Sequence, residues 1–491
     1  MRTDAADAAH GTDRTDPAAP RARHAVVIGG GIAGLAAAHR LLGAGIGVTL
    51  LEAGPRLGGK LYAGELAGAR VDLGAESVLA RRPEALELAR AVGLGGALQP
   101  PATTTAHLWT RGALRPMPRG HVMGVPGDLA PLAASGVLSA EGLARIGAEA
   151  DLPPAEIGED VAVGDYVAAR LGREVVDRLV EPLLGGVYAG DAYRLSMRAA
   201  VPQLFEAART HASLGEAVRE LQRRAAQQPQ QAGPVFSGIE GGIGRLPQAV
   251  ADACRAAGAR IATDTPVCGL RRTPEGGWQV VTGTGTVAAD AVVLAVPAEP
   301  AARLLDGLAP AAAAELRTVE YASMALVTMA FRRSDLPAVI TDGRASGFLV
   351  PPVDGRTIKA STFSSSKWSW AGADPGLFLL RTSVGRYADE ADLGREDSEL
   401  VDVSLRDLGE AVGLAARPLA STVTRWDGGL PQYPVGHLAR VDRIRAAVAA
   451  LPGLAVCGAL YDGVGIPACI ASAGKAADVV IAALGTPGAD H

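Results

Sequence analysis

Lysine is nearly absent: positions 60, 359, 367 and 475 are its only occurrences in 491 residues, so the basic charge rests on arginine. Cysteine is sparse too, at 254, 268, 457 and 469, and no C-x-x-C pair forms. That spacing excludes a disulfide-stapled scaffold and reads as four reduced, buried thiols in a cytoplasmic protein. The eight histidines show no H-E-x-x-H or comparable spacing, so no metal site is expected. Positive charge is not in excess, and a net charge of −5 with an isoelectric point near 6.0 argues against a nucleic-acid partner, which would need a basic stripe. Gly, Pro or a charge interrupts each apolar run before the roughly 18 to 20 residues a membrane span needs, so no transmembrane segment is expected. Residues 1–23, rich in Ala, Asp, Thr and Pro without an apolar stretch, read as a disordered tail and not a signal peptide.

What is present is concentrated between His24 and Gly59. An apolar strand, Ala25-Val26-Val27-Ile28, runs into Gly29-Gly30-Gly31-Ile32-Ala33-Gly34, an alanine-rich helix over 32–43 and a second strand over 47–51 that ends at Glu52. Gly29 permits the tight turn, Gly31 removes the Cβ that would hold a pyrophosphate away, and Gly34 lets helix pack on sheet. The helix N-terminus offers free N–H groups to phosphate, and Glu52 is placed to accept from two ribose hydroxyls. Strand, helix, strand and acid together read as a dinucleotide-binding βαβ unit.

The rest of the chain is discontinuous in pattern. Apolar spacing of three and four predicts helices over 83–94, 153–171 and 174–180, and the polar run Gln227 to Gln231 predicts an exposed loop. Residues 290–297 form a buried strand ended by Pro297, and 298–450 alternate β-rich segments with helices such as 396–412. Leu454 to Gly458 reads as a strand, and Tyr461 to Pro467 turns into a last helix around 470–484. A glycine turn before a helix either supplies N–H groups to a ligand or simply meets a need for positive φ.

Several segments carry a resemblance to the protoporphyrinogen/coproporphyrinogen oxidase family of the amine-oxidase-type flavoproteins. They are Arg56-Leu57-Gly58-Gly59-Lys60, Asp72 to Ser77, Val180 to Asp191 with Leu195-Ser196-Met197, Gly238 to Leu246, Leu430 to His437, and Gly463 to Pro467. The resemblance runs from about His24 to Ala483. It implies an α/β fold with a discontinuous Rossmann-like FAD-binding domain over 24–82, 236–297 and 452–484, a helical insertion domain over 83–235 and a β-sheet substrate domain over 298–451.

It also implies noncovalent FAD. The cofactor residues would be Gly29, Gly30, Gly31, Ile32, Ala33 and Gly34 at the pyrophosphate; Glu52 and Ala53 at the ribose; and Arg56, Gly59 and Lys60 towards the diphosphate and flavin. Gly74, Ala75, Glu76 and Ser77 would run along the isoalloxazine, Val267 would meet the adenine end, and Trp426, Val464, Gly465 and Ile466 would close on the flavin. Arg56 and Lys60 are also readable as solvated loop cations. For substrate, the resemblance implies a porphyrinogen oxidised by O2. The Gly185-Gly186-Val187 loop would meet the macrocycle through Gly186, and Leu349 and Phe363 would sandwich it, although both also read as strand core. Arg81, Arg82, Arg115, Lys359 and Lys367 are the candidate propionate partners, since a guanidinium or ammonium suits a carboxylate.

No Ser/His/Asp group or carboxylate pair demands a role, so no essential catalytic side chain is named and the flavin carries the chemistry. Coproporphyrinogen III, with four propionates, is favoured over protoporphyrinogen IX. The region 115–150 lacks a membrane-binding apolar patch, and an Asn-Arg pair of many eukaryotic protoporphyrinogen oxidases stands here as Thr105-Ala106. The resemblance implies a ferrochelatase acting on coproporphyrin as partner, and at most peripheral membrane contact. The alternatives are a protoporphyrinogen oxidase, an amine oxidase, a carotenoid desaturase, or a binding module of this fold without FAD, such as a Rab GDP-dissociation inhibitor.

Overall fold

A computed structural model describes residues 23–153, 156–227 and 234–485. The tail expected over 1–23, apart from Arg23, and Gln228 to Gln231 of the polar loop lie outside the described residues.

Short β-branched and leucine-rich runs, His24–Ile28, Gly47–Leu51, Arg260–Ala262, Ala291–Leu294 and Leu454–Val456, form one five-stranded parallel sheet. His24–Ile28 lies at its centre, paired with Gly47–Leu51 on one side and Ala291–Leu294 on the other. Alternation divides these strands between two cores, as expected for a parallel sheet covered on both faces. Val27, Leu50 and Val293 face the helices Ile32–Gly43, Arg245–Ala256 and Ile466–Leu484. Val26, Leu51 and Val292 face Trp278 and the helices Ala298–Leu305 and Pro310–Arg317.

The last helix corrects one expectation. Ile466–Leu484, 19 residues, is the described helix long and apolar enough to cross a membrane. Half of its span is buried, and it packs on Ile32–Gly43 through Ala473, Ala476 and Ala477. The thiols need correcting too: Cys254, Cys457 and Cys469 are buried, but Cys268 is exposed.

A second sheet of seven strands has the order Ala420–Pro431, Tyr321–Arg332, Leu377–Val384, Ile358–Thr362, Gly347–Leu349, Ala106–Thr110, Ala113–Pro116. Its last two strands are a hairpin from inside the stretch expected to be helical; the alternation of His107, Leu108, Trp109 and Thr110 suits a strand. Elsewhere in that stretch the helix expected over 153–171 forms only as Val163–Leu171. The Gly185-Gly186-Val187 segment, expected as a loop, is helical within Glu181–Tyr188, directly after a π-helical turn over Val176–Val180.

The two faces of the large sheet differ. One carries Val327, Phe331, Phe348, Phe363, Phe378 and Leu380 beneath the helix Asp397–Val412. The opposite face packs through Ala330, Leu377 and Leu379 on Leu66 and Val71 of the hairpin Ala63–Leu66 and Ala69–Asp72 and on Leu73 just after it, and meets the helix Glu181–Tyr188 at its other end.

Candidate functional site

The glycines at the end of the first strand separate by what a side chain would strike. A Cβ on Gly29, which has φ +108°, would lie 2.5 Å from Ala295 C=O, and one on Gly34 only 1.8 Å from Gly29 C=O. A Cβ on Gly31 would meet nothing within 4 Å. The protein itself therefore does not require glycine at 31, and the space in front of it is open. Gly31 N-caps the helix Ile32–Gly43 without a side-chain bond and no acid lies in the first turn, so the helix N-terminus stays available to phosphate. Glu52 is held beside it, accepting from Gly30 N–H at 2.6 Å and Gly54 N–H at 2.8 Å. Ala53 is exposed next to it, and Thr265 N–H donates to Glu52 C=O at 2.8 Å, which brings Val267 within two residues of the acid. This cradle fits a dinucleotide.

A line of contacts leads away from the cradle. Gly58 N–H donates to Gly30 C=O at 2.8 Å, and a Cβ on Gly59 would stand 3.4 Å from Gly31 Cα. Lys60 C=O accepts from Ala75 N–H at 3.0 Å and would lie 2.1 Å from a Cβ on Gly74, so only glycine allows these segments to touch. Lys60 itself is driven by burial below the usual ammonium range, partly offset by Cys469, whose thiol lies 3.7 Å from Gly463 C=O and 3.9 Å from Val464 C=O. The turn Val464-Gly465-Ile466 thus comes to the same side as Lys60. Trp426 Nε1 donates to Leu73 C=O at 3.2 Å, and the Arg56 guanidinium sits 4.1 Å over the Tyr62 ring and 5.6 Å from that of Trp426.

Beneath the segment over 74–77 lies an ion cluster that sequence reasoning missed in part. Glu76 is buried between Arg381, 2.8 Å away, Lys367 at 3.8 Å and Trp368 Nε1 at 2.9 Å. Burial alone would push its carboxyl up, but Arg381 and Lys367 outweigh it and hold the group below the usual range. Arg381 also donates to Gly74 C=O at 2.7 Å. Glu76 and Lys367 therefore brace this segment from below, and Ser77 follows Glu76 half-buried. Asp72 accepts from Ile243 and Gly244 N–H groups, both at 2.9 Å, while burial raises its carboxyl to about 6.

From Trp426 the line continues across the inner face of the large sheet. Met324 pairs opposite Trp426, Lys359 Nζ reaches to 3.9 Å from Met324 Sδ, and Lys359 C=O accepts from Val350 N–H at 2.9 Å. Leu349 comes next, and a Cβ on Gly186 of the helix Glu181–Tyr188 would lie 3.8 Å from it. Gly186 and Leu349 are thus brought together, whereas Phe363 is not. Leu349 is paired with Ala360 on the inner face, but Phe348, paired with Ser361, turns outward. Phe363 packs against Phe348, ring centroids 6.1 Å apart, in the outer core. It cannot share a ligand with Leu349.

The arginines are dispersed. Arg81 is exposed and forms no ion pair among the described residues; Arg82 pairs with Glu84 at 2.5 Å. Arg115 donates to the carbonyls of Thr110 and Arg111. Arg386 was not foreseen: buried after the strand Leu377–Val384, it donates to Val350 C=O at 3.2 Å. Glu181, also unforeseen, accepts from Ala192 N–H at 2.7 Å, and burial, with Asp191 nearby, raises its carboxyl to about 7. The sole sequence signal for Arg386 is the glycine before it, Gly385 with φ +90°, which ends an apolar strand.

Comparison with known proteins agrees with this geometry. The model of the flavin containing amine oxidoreductase family matches residues 32–481. A coproporphyrinogen III oxidase of Mycobacterium tuberculosis is 38% identical over 465 residues, covering 93% of this chain and 97% of its own. One from Bacillus subtilis is 32% identical over 464 residues, with 93% and 97% coverage. The crystal structure of an Exiguobacterium protein, provisionally assigned as a protoporphyrinogen oxidase, superposes with a TM-score of 0.82 at 33% identity, over 93% of this chain and 98% of that one. A chloroplastic protoporphyrinogen oxidase of Oryza sativa is 30% identical over 499 residues, so relatives of both names occur, with the coproporphyrinogen III oxidases of Mycobacterium and Bacillus the more similar. The chain belongs to the flavin-containing amine oxidoreductases.

Proposed function

We propose that this protein oxidises coproporphyrinogen III to coproporphyrin III with noncovalently bound FAD, consuming O2 and releasing H2O2, in the cytoplasm. The observation that carries the reading is the line Gly31, Gly58, Lys60, Gly74, Trp426, Met324, Lys359, Leu349, Gly186, which joins a dinucleotide cradle to the inner face of the large sheet opposite a glycine-bearing helix. A flavin laid along it would have its phosphates at Gly29 to Gly34, its ribose on Glu52 and Ala53, its adenine towards Val267 and its ring among Lys60, Gly74 to Ser77, Trp426 and Val464 to Ile466. When bound, the flavin supplies a two-electron acceptor that O2 regenerates.

The residues do the positioning. Leu349 and Gly186 give the macrocycle an apolar wall and a close backbone approach. The Gly185 carbonyl already accepts from Ala189 N–H at 2.9 Å, which fixes the end of that helix. Of the candidate propionate partners, Arg82 is engaged by Glu84, Arg115 by the carbonyls of Thr110 and Arg111, and Lys367 by Glu76, which leaves Arg81 as the arginine among them with no ion pair or side-chain hydrogen bond among the described residues. Coproporphyrin then passes to a ferrochelatase for iron insertion. Removing six hydrogens, two for each flavin turnover, requires three O2 and yields three H2O2 per porphyrin. An oxygen electrode, with and without catalase, checks this: half of the consumed oxygen returns when catalase is present. A porphyrin yield with no peroxide would contradict the reading.

A further inference from the structure

Lys359 stands at a β-bulge. Its strand pairs Ile358 with Val384 and Ala360 with Ser383, leaving Lys359 as the extra residue, and a bulge of this kind re-aims a side chain. Ile358 faces the outer core, whereas Lys359 reaches Met324, directly opposite Trp426, on the inner face. Leu349 and Gly186 lie on its other side. The amine thus sits between the flavin end and the macrocycle end of the line, where a reacting carbon would be held, and not at the rim where propionates would leave.

The surroundings of this amine are unusual for a lysine. It is 7% exposed, its hydrogen-bond partner is a thioether, and no carboxylate lies within ion-pair distance among the described residues. Charged groups from the adjoining elements do not compensate it. Arg386, after the neighbouring strand, bonds to the same Val350 peptide that holds Lys359. Arg381, on the same sheet face, is taken by Glu76 and Gly74, and Lys367 by Glu76. Asp389, 3.9 Å from Arg386, and Glu181, on the helix opposite, act on Arg386. Burial, reinforced by Arg386, pushes the ammonium down to about 7, so a neutral amine is available near neutral pH.

We propose that Lys359 is the proton acceptor in each oxidation step, a catalytic residue and not a propionate anchor. This rests on the porphyrinogen oxidase reading above. In each round a methylene-bridge C–H bond breaks with its electron pair leaving as hydride to the oxidised flavin. The adjoining pyrrole N–H bond breaks, its pair forms the ring C=N bond as ring π electrons close the bridge C=C bond, and the proton passes to the Lys359 lone pair and on to solvent.

The test uses the flavin-loaded enzyme and its Lys359→Met and Lys359→Arg variants. Anaerobic single-turnover bleaching of the flavin by coproporphyrinogen III is followed from pH 5.5 to 9, and coproporphyrin III binding is titrated by fluorescence. For wild type, the bleaching rate rises with pH through about 7, because the base must be unprotonated. Both variants are expected to bleach roughly 10²–10³-fold more slowly, without that limb, while binding coproporphyrin within about 3-fold of wild type. Arginine separates the roles: it keeps the cation an anchor needs but cannot accept a proton. Bleaching restored by Lys359→Arg, or binding weakened about 10-fold or more in Lys359→Met with the pH limb intact, would overturn the proposal. Absence of bleaching in the wild type would overturn the oxidase reading itself, and the lysine's role with it.

Discussion

Two glycines three residues apart make opposite demands, and substitution separates them. Gly34→Ala drives a Cβ to 1.8 Å from a backbone oxygen; it should cost about 1–3 kcal/mol or more of stability and yield a poorly folded, colourless protein. Gly31→Ala meets nothing in the protein, so its unfolding free energy from urea titration should stay within about 0.5 kcal/mol of wild type. Its FAD affinity should fall on the order of 10-fold or more, read by flavin fluorescence on titration of the apoprotein. Lys359 makes a pH-dependent prediction. Its folded pKa, about 7, lies below the unfolded 10.5, so the folded chain binds fewer protons between these values and the burial penalty shrinks as pH rises. Lys359→Met should therefore stabilise the protein by on the order of 2 kcal/mol at pH 7, and by progressively less towards pH 10, in urea titrations at both pH values. The glycine turn and the placement of Glu52 beside it were legible because their meaning is local: turn, close approach and spacing sit within thirty residues. Arg381 and Arg386 were not, because their partners Glu76 and Val350 come from other parts of the chain.

Elements show the same division. The helix over 32–43 and the strand over 47–51 form as read, since period and glycine punctuation agree. The Leu349 and Phe363 pair failed as a sandwich because period-two alternation assigns faces only within a paired register, and Phe363 lies just past the end of its strand. The hairpin over 106–116 was hidden by helical spacing around it; its strands gain meaning only on the edge of a sheet whose other members lie beyond residue 320. The alanine seam between Ile32–Gly43 and Ile466–Leu484 permits close helix approach, with Ala37, Ala473 and Ala477 fully buried. Ala477→Leu should overpack it, costing about 1–3 kcal/mol in chemical denaturation. Because the same first helix points its N-terminus at the phosphate cradle, that variant should also bind FAD more weakly, read by the fluorescence titration used for Gly31→Ala.

At the scale of the whole molecule, the site exists because distant segments converge. The central strand His24–Ile28 pairs with Ala291–Leu294, which in turn pairs with Leu454–Val456, so both ends of the chain complete one sheet. The large sheet then sets Trp426, Met324, Lys359 and Leu349 in a row that leads from Gly74 to Gly186. Cofactor class was readable from the first sixty residues; the proposed substrate contact depends on a bulge, a register and a helix that no local pattern announces. Purified protein in air should be given chemically reduced coproporphyrinogen III and protoporphyrinogen IX in parallel, with porphyrin fluorescence followed against enzyme-free controls. The account predicts a kcat/KM at least about tenfold higher for coproporphyrinogen III, on the order of 1.4 kcal/mol of discrimination from its two additional carboxylates. Equal or faster oxidation of protoporphyrinogen IX would contradict it.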